Sequence, residues 1–412
     1  MKTLSSSIGI GGAIKSRPED FVVEEITTAG KVVSAGKRYE GLDLGFTTCT
    51  EGEFTLFVLQ KKGWNTIQAL KEIARKCGRG IRSVGFAGTK DRNAVSTQLC
   101  SIFGAAPQQV LGAAIKDTSI NGAWKSKEGV HLGDLRGNRF TVHVREAAAA
   151  RNVIEDTINE LGGVFPNYFG SQRFGFRSNN VKIGLAILRG DFEAAAAEFL
   201  TNTENETNEQ AIAARKRLAE EGDFDKAYSY FPTYLKYERS MLEYLSKFPE
   251  NYANAIRRLP RQLSLMFVHS VESLIFNTEL EDRVEARAVL PEKGELFCGV
   301  DGMGFPDMSK MQKYDPSDQA WPCFPVCSLP GYRSGQAGEA AARIMERLGI
   351  SNESFRIKGL PELSSGGSYR VMFSPYVDLK YEAAGTDALF SFSLQSGAYA
   401  TIFINEFTKN QG

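Results

Sequence analysis

The residues best suited to chemistry sit in one segment, residues 86–98, which reads FAGTKDRNAVSTQ. Asp91 stands there in a glycine-rich turn between apolar runs, with Lys90 and Arg92 on either side. A turn that follows a strand can hold a carboxylate at the mouth of a cleft, and its glycines let a ligand come close to the backbone. The flanking cations favour the ionised form of Asp91. A charged carboxylate in basic surroundings suits attack on a sugar or base next to phosphates. Spacing alone also supports a plainer reading, in which Asp91 only bonds its own turn. The order Gly-Thr-Lys lacks the Gly-Lys-Ser/Thr of a nucleotide-binding P-loop, so that reading is rejected.

The other reactive residue types form no constellation. His131, His143 and His269 are scattered without ligand spacing. The six cysteines (Cys49, Cys77, Cys100, Cys298, Cys323, Cys327) follow a start, MKTLSSSIGIGGAIK, that lacks the sustained apolar run of a secretory leader. They therefore read as free thiols rather than a disulfide framework. Cys323 and Cys327 lie close together in WPCFPVC but have no histidine nearby, so they read as buried or loop thiols rather than metal ligands. There is no stretch of about 18 apolar residues, hence no expected membrane span, and a cytoplasmic location is expected. With 49 basic and 49 acidic residues the chain carries no net field. Any nucleic-acid contact must then come from local patches.

The elements that must position Asp91 alternate in type. FVVEEI and FTLFVLQ read as strands, rich in β-branched and aromatic residues. After Gly63, Asn65 or Thr66 can cap a helix bearing Ile67, Leu70, Ile73 and Ala74 at helical spacing. SVGFAG enters the Asp91 turn and VSTQLCSIF leaves it as a strand. In NRFTVHVR, Phe140, Val142 and Val144 share one face. From about Pro166 the patterns become helical, with an irregular stretch rich in Gly and Pro at 292–330. Strand signals return at YRVMFSPY and ALFSFSL, and AYATIFINEFTK reads as a final helix. Strand-rich ends bracketing a helix-rich middle point to one fold interrupted by an insertion, in a chain of 412 residues that exceeds one ordinary domain.

Five segments in order carry a resemblance: KSRPEDFVVEEI, FAGTKDRNAVSTQ, LRGNRFTVHVR, FPNYFGSQRFG and FSLQSGAYATIFINEF. Together they are similar to the signature segments of the TruD family of tRNA pseudouridine synthases, of the archaeal and bacterial type. Asp91 falls at the family's essential aspartate. Lys15 matches a basic position near it, and Phe21 a position that contacts the target nucleotide. Asn138 and Phe140 match residues lining the uridine pocket, and Phe392 another pocket aromatic. Periodicity by itself makes Phe140 and Phe392 core residues. One departure is local: LQSGAYAT has Gln395 and Ala398 where the family commonly has Pro and Ser.

The resemblance implies an α/β (α+β) fold. A pseudouridine-synthase core with a mixed, largely antiparallel sheet is expected from residues 1–165 plus 371–412. An inserted α/β TRUD domain is expected over residues 166–370. It implies isomerisation of a uridine, with uridine-13 of tRNA the expected position, by a monomer that needs no cofactor or metal. Asp91 would act on a flipped-out nucleotide as nucleophile or base. Arg136, Arg139, Arg173 and Arg177 would form a basic strip toward phosphates, with RRLPRQ (residues 257–262) a weaker second patch. Two rivals remain open on sequence: a non-catalytic RNA-binding protein, and a nucleoside- or glycoside-cleaving hydrolase pairing Asp91 with Glu24 or Glu25.

Overall fold

A computed structural model describes residues 1–410 apart from 48, 149, 318–321 and 336–337. Trp321 of WPCFPVC therefore lies outside the described residues. The first part of the chain forms β1 (Phe21–Thr27), β2 (Phe54–Lys62), β3 (Val84–Phe86), β4 (Val95–Phe103), β5 (Thr118–Ser126), β6 (Leu135–Val144) and β7 (Val164–Pro166). The middle adds β8 (Leu296–Cys298), β9 (Gln312–Lys313), β10 (Phe324–Leu329) and β11 (Ser368–Val371). β12 (Phe373–Pro375), β13 (Val377–Ala384) and β14 (Asp387–Gln395) follow before the last helix, Ala400–Thr408.

Strands from both ends of the chain share one eight-stranded sheet, ordered β13, β14, β6, β1, β4, β2, β5, with β3 beside β4. β1 and β4 run parallel, and the other neighbours run antiparallel. This is the mixed, largely antiparallel α/β architecture expected from the sequence. β2 is apolar along most of its length because both its faces are covered. Phe57 and Leu59 pack with Leu70 and Ile73 of the helix Thr66–Lys76, while Leu56 and Val58 join Leu99 and Trp124 on the other side. The edge strand β13 instead alternates and exposes Asp378, Lys380 and Glu382. Charges on an edge discourage further strand pairing.

β1, β6 and β14 present one aromatic face. The register sets Phe140 opposite Val23 on one side and Phe392 on the other. The helix Ala400–Thr408 lies against it, with the Phe403 ring 4.5 Å from that of Phe392. The buried Glu406 carboxylate accepts from the Leu4 and Ser5 amides at 2.9 and 3.1 Å, which ties the two termini together. Gly137 is required where β14 crosses, since a Cβ there would stand 2.1 Å from the Leu394 carbonyl oxygen.

The middle of the chain has its own core. Helices Asn180–Leu188, Phe192–Thr201, Glu209–Glu221, Lys236–Lys247 and Arg261–Glu285 enclose Ile187, Phe199, Leu218, Leu242 and Phe267. A four-stranded sheet ordered β11, β10, β8, β9 stands beside them. β7 pairs antiparallel with β12, so the chain leaves the main body and returns to it side by side. Among the described residues no helix is long and apolar enough to cross a membrane.

Three details depart from the sequence patterns. YRVMFSPY is two strands in different sheets, parted at Met372. β5, reading TSINGAWKS, and β13, reading VDLKYEAA, complete the main sheet although Gly, Asn and charged residues weaken their strand signal. Asn65 rather than Thr66 caps its helix, accepting from the Ile67 and Gln68 amides. The aromatic face makes a first prediction. Phe392 is fully buried, so Phe392→Ala is expected to cost about 3–5 kcal/mol. Denaturant titration checks it, and a midpoint equal to that of the unaltered protein would refute the packing role.

Candidate active site

The turn between β3 and β4 is fixed from beneath. The Lys61 ammonium, at the end of β2, donates to the carbonyl oxygens of Lys90 at 3.3 Å and Asp91 at 2.8 Å. The Thr66 hydroxyl accepts from the Lys90 amide at 2.9 Å, and the Gln98 side chain donates to the Gly88 carbonyl at 3.1 Å. Lys61 is fully buried, and burial pushes its ammonium down to about 8, opposed in part by the nearby Asp91. Above the turn there is room: a methyl group on Gly88 would meet nothing within 4 Å.

This backbone turns Asp91 outward and Lys90 inward. The cation in contact with Asp91 is Lys15, whose ammonium lies 2.5 Å from Oδ2. Lys15 adopts a left-handed φ of 59°, and the Asn93 amide donates to its carbonyl at 2.8 Å. A non-glycine residue pays about 1–3 kcal/mol for that conformation, so strain is concentrated where the side chain must reach Asp91. The Lys15 ammonium also sits 4.2 Å from the centre of the Phe21 ring. On the other oxygen, Oδ1, the Gln172 amide donates at 3.4 Å from the segment FPNYFGSQRFG. Lys15, from the N-terminal arm, and Gln172, just beyond β7, thus meet at one carboxylate.

The expectation that Lys90 and Arg92 flank the carboxylate is corrected by these directions. Lys90 forms a buried ion pair with Glu25 at 2.8 Å and donates to Asn138 Oδ1 at 2.8 Å. Arg92 is exposed and reaches the Gly63 carbonyl at 3.3 Å. Successive residues in a tight turn point apart, so adjacency in sequence did not make them neighbours of the Asp91 oxygens. The Lys90 bond also orients Asn138. With Oδ1 turned to the ammonium, its NH2 is left to donate elsewhere.

Phe21, Phe140 and Phe392 form one stack. The Phe21 and Phe140 rings meet edge to face at 5.9 Å, and Phe140 stacks on Phe392 at 5.6 Å. All three are buried, Phe392 completely. Phe392 therefore supports Phe140 from within, and Phe21 carries the stack to Lys15 and Asp91.

The four arginines do not form a free strip. Arg139 pairs with Glu24 at 2.6 Å, and Arg136 with Asp301 at 3.3 Å. Arg177 donates to the Phe199 and Asn202 carbonyls, each at 3.0 Å, and burial pushes it down to about 10. Arg173 lies over the Phe169 ring at 5.1 Å. Arg257 of the second patch pairs with Glu362 at 2.7 Å. Carboxylates and helix-end carbonyls claim Arg136, Arg139, Arg177 and Arg257, a matter of folding that composition does not reveal. His143 bonds Asp387 at 2.9 Å, and Cys323 and Cys327 are both buried. Among the described residues no group of three or more His, Cys, Asp or Glu could hold a metal.

Lys61 belongs to no recognisable motif. Its signal is alternation, because it continues the inward row Phe57, Leu59 on β2. A lysine at an inward strand position is rarely buried without a task. The depressed value has a consequence with a definite sign. Between about 8 and the ordinary 10.5 the unfolded chain holds a proton that the folded chain has lost. Stability therefore rises with pH across that window. Relative to Lys61→Met, the unaltered protein should gain roughly 3 kcal/mol between those values. Parallel pH–stability curves for the two proteins would remove Lys61 from the account.

Residues 2–407 match the model of the family described as tRNA pseudouridine synthase D (TruD). A Methanopyrus kandleri protein named "Probable tRNA pseudouridine synthase D" is 36% identical over 370 residues, covering 88% of this chain and 87% of its own. A Thermococcus sibiricus protein of the same name is 33% identical, covering 99% of this chain and 97% of its own. A crystal structure of the TruD protein of Methanosarcina mazei superposes with a TM-score of 0.76 at 30% identity, covering 99% of this chain and 96% of that one. The chain belongs to the TruD family of tRNA pseudouridine synthases, which are isomerases.

Proposed function

We propose that the protein isomerises uridine-13 of tRNA to pseudouridine, with Asp91 as the reacting carboxylate. The observation that carries this reading is the convergence on Asp91 of Lys15 at 2.5 Å and Gln172 at 3.4 Å. In this reaction the bond from N1 to C1′ breaks, a bond from C5 to C1′ forms, the C5 proton leaves to solvent, and N1 takes up a proton in its place. Nothing is oxidised or reduced, so the chemistry asks for a carboxylate, a held sugar and a base free to turn.

The target nucleotide must first leave its stack, at a cost of a few kcal/mol. The edges of Phe21 and Phe140 offer it an apolar surface, with Phe392 behind them, and the Asn138 NH2 donates to a uracil carbonyl. Aromatic contact of this kind returns about 1–3 kcal/mol per base. Asp91 then acts at the ribose, with Lys15 compensating its charge. Attack at C1′ and removal of a sugar proton are two forms of that step. A primary isotope effect with sugar-deuterated uridine marks the second.

Residues 1–165 and 371–412 act in this reading as the catalytic body, and 166–370 as the insertion that brings Gln172 to it. The protein works as a monomer on tRNA in the cytoplasm. A hydrolase would need a second carboxyl group, and both candidates are engaged. Glu25 is paired with Lys90 and accepts from the Leu99 amide at 3.0 Å; Glu24 is paired with Arg139 and accepts from the Ala35 amide at 2.8 Å.

The test is Asp91→Asn with the tRNA pool. It is expected to bind tRNA and keep its melting temperature while forming pseudouridine at least about 10³-fold more slowly. Product at the rate of the unaltered protein sinks the role of Asp91. Product from the unaltered protein at a uridine other than 13 overturns the position alone.

A further inference from the structure

Next to the Asp91 site lies a polar cavity of about 340 Å³ whose walls include Arg173, His269, Glu272, Ser365, Tyr369 and Arg370. That places it at the low end of small-molecule pockets. It adjoins the candidate active site through the 3₁₀ turn Ser171–Phe174, where Gln172 reaches Asp91 and its neighbour Arg173 lines the cavity. Arg370, also in the wall, donates to the Gly397 carbonyl at 3.0 Å. Gly397 belongs to the segment FSLQSGAYAT.

The unusual member is Glu272, on the long helix Arg261–Glu285. It is 5% exposed, and its Oε1 has no hydrogen-bond partner among the described residues. Burial pushes its carboxyl group up to about 7, opposed in part by the Ser365 hydroxyl. The protein thus leaves a buried acceptor unsatisfied at the wall of a cavity, which native structures seldom do without a role.

We propose that this cavity takes one nucleobase of the RNA strand flanking the target uridine, a base with an exocyclic amino group that donates to the Glu272 carboxyl. The proposal rests on the reading of Asp91 as the site of RNA modification. RNA-binding proteins hold unstacked bases on aromatic rings and guanidinium planes, and read their edges by hydrogen bonds. Tyr369, 48% exposed, supplies the ring. Arg173, stacked on Phe169 and without a carboxylate partner among the described residues, supplies the plane. A backbone phosphate is the poorer fit. A buried carboxyl group repels it, and Arg370 already donates to the Asn167 carbonyl at 3.0 Å and to Asn167 Oδ1 at 2.7 Å.

A binding selection that needs no catalysis tests this. The Asp91→Asn protein is challenged with RNA hairpins containing one fixed target uridine and randomised at the nucleotides on either side. The retained pool should favour amino-bearing bases over uracil about tenfold at one flanking position. Adding Glu272→Met, which removes the acceptor oxygens at similar volume, should erase that preference with little change in melting temperature. Tyr369→Ala, an exposed change, should weaken retention about tenfold. Identical pools with and without Glu272→Met overturn the proposal. So does tighter, base-independent binding after Glu272→Met, which marks a phosphate seat. Where Glu272→Met loses its fold, Tyr369→Ala decides, and undiminished retention overturns the proposal. Pseudouridine formation by the unaltered protein is scored separately, so its absence strikes the reading of Asp91 and leaves the pool result standing.

Discussion

The arrangement around Asp91 depends on one buried ammonium group. Lys61 donates to two successive carbonyls of the turn and, among the described residues, has no carboxylate partner of its own. A buried cation is costly, and the cost appears as a displaced proton equilibrium. What it gains is a fixed backbone. With the carbonyls of Lys90 and Asp91 both turned down toward Lys61, the two side chains have to diverge. Asp91 faces the open side, and Lys90 points into the sheet between Glu25 on β1 and Asn138 on β6. One constraint thereby sets the direction of the carboxylate, the position of a second lysine and the amide orientation of Asn138.

The same geometry explains how strands from distant parts of the chain are used together. Glu25 and Asn138 are partners across the β1–β6 ladder, and Phe140 and Phe392 across the β6–β14 ladder. On β1, Phe21, Val23 and Glu25 alternate onto one face, and on β6 so do Asn138 and Phe140. That face is aromatic toward the last helix and polar toward the turn. A one-residue slip would send every one of these side chains to the other side. The bonds between Glu406 and the N-terminal residues hold the two ends of the chain in place around it.

Much of this was legible in the sequence, for identifiable reasons. Phe140, Val142 and Val144 alternate, so a strand with one buried face follows directly. The continuous apolar run of β2 marks a strand covered on both sides. Asp91, Lys15 and Asn138 were legible only because their segments occur together in a recognisable order; spacing alone made Asp91 an ordinary turn residue. What stayed hidden was side-chain direction. Sequence adjacency put Lys90 and Arg92 beside the carboxylate, whereas the turn put Lys15 there, 76 positions away. The arginines were legible as charges but not as partners, since Glu24 and Asp301 reach them only through the fold. β5 and β13 escaped because pairing with neighbours, rather than intrinsic preference, makes them strands.

Gln172 and Arg173 connect the Asp91 turn to the cavity beside Glu272. They follow β7, where the chain leaves the main body, and a short 3₁₀ turn sends one side chain to Asp91 and the other to the wall containing Glu272. Arg370, on β11 just before the chain returns, bonds both Asn167 and Gly397 and lies over the Phe169 ring at 4.1 Å. Outgoing strand, returning strand and C-terminal segment are thus pinned to one another beside Asp91. A strand of RNA lying across that junction would meet groups from all three at once. Its target nucleotide would face Asp91, and a neighbouring base would face a wall the same residues hold rigid. Binding energy from the neighbour can then be used to hold the sugar in place, which is how contacts remote from the reacting bond raise a rate rather than only an affinity.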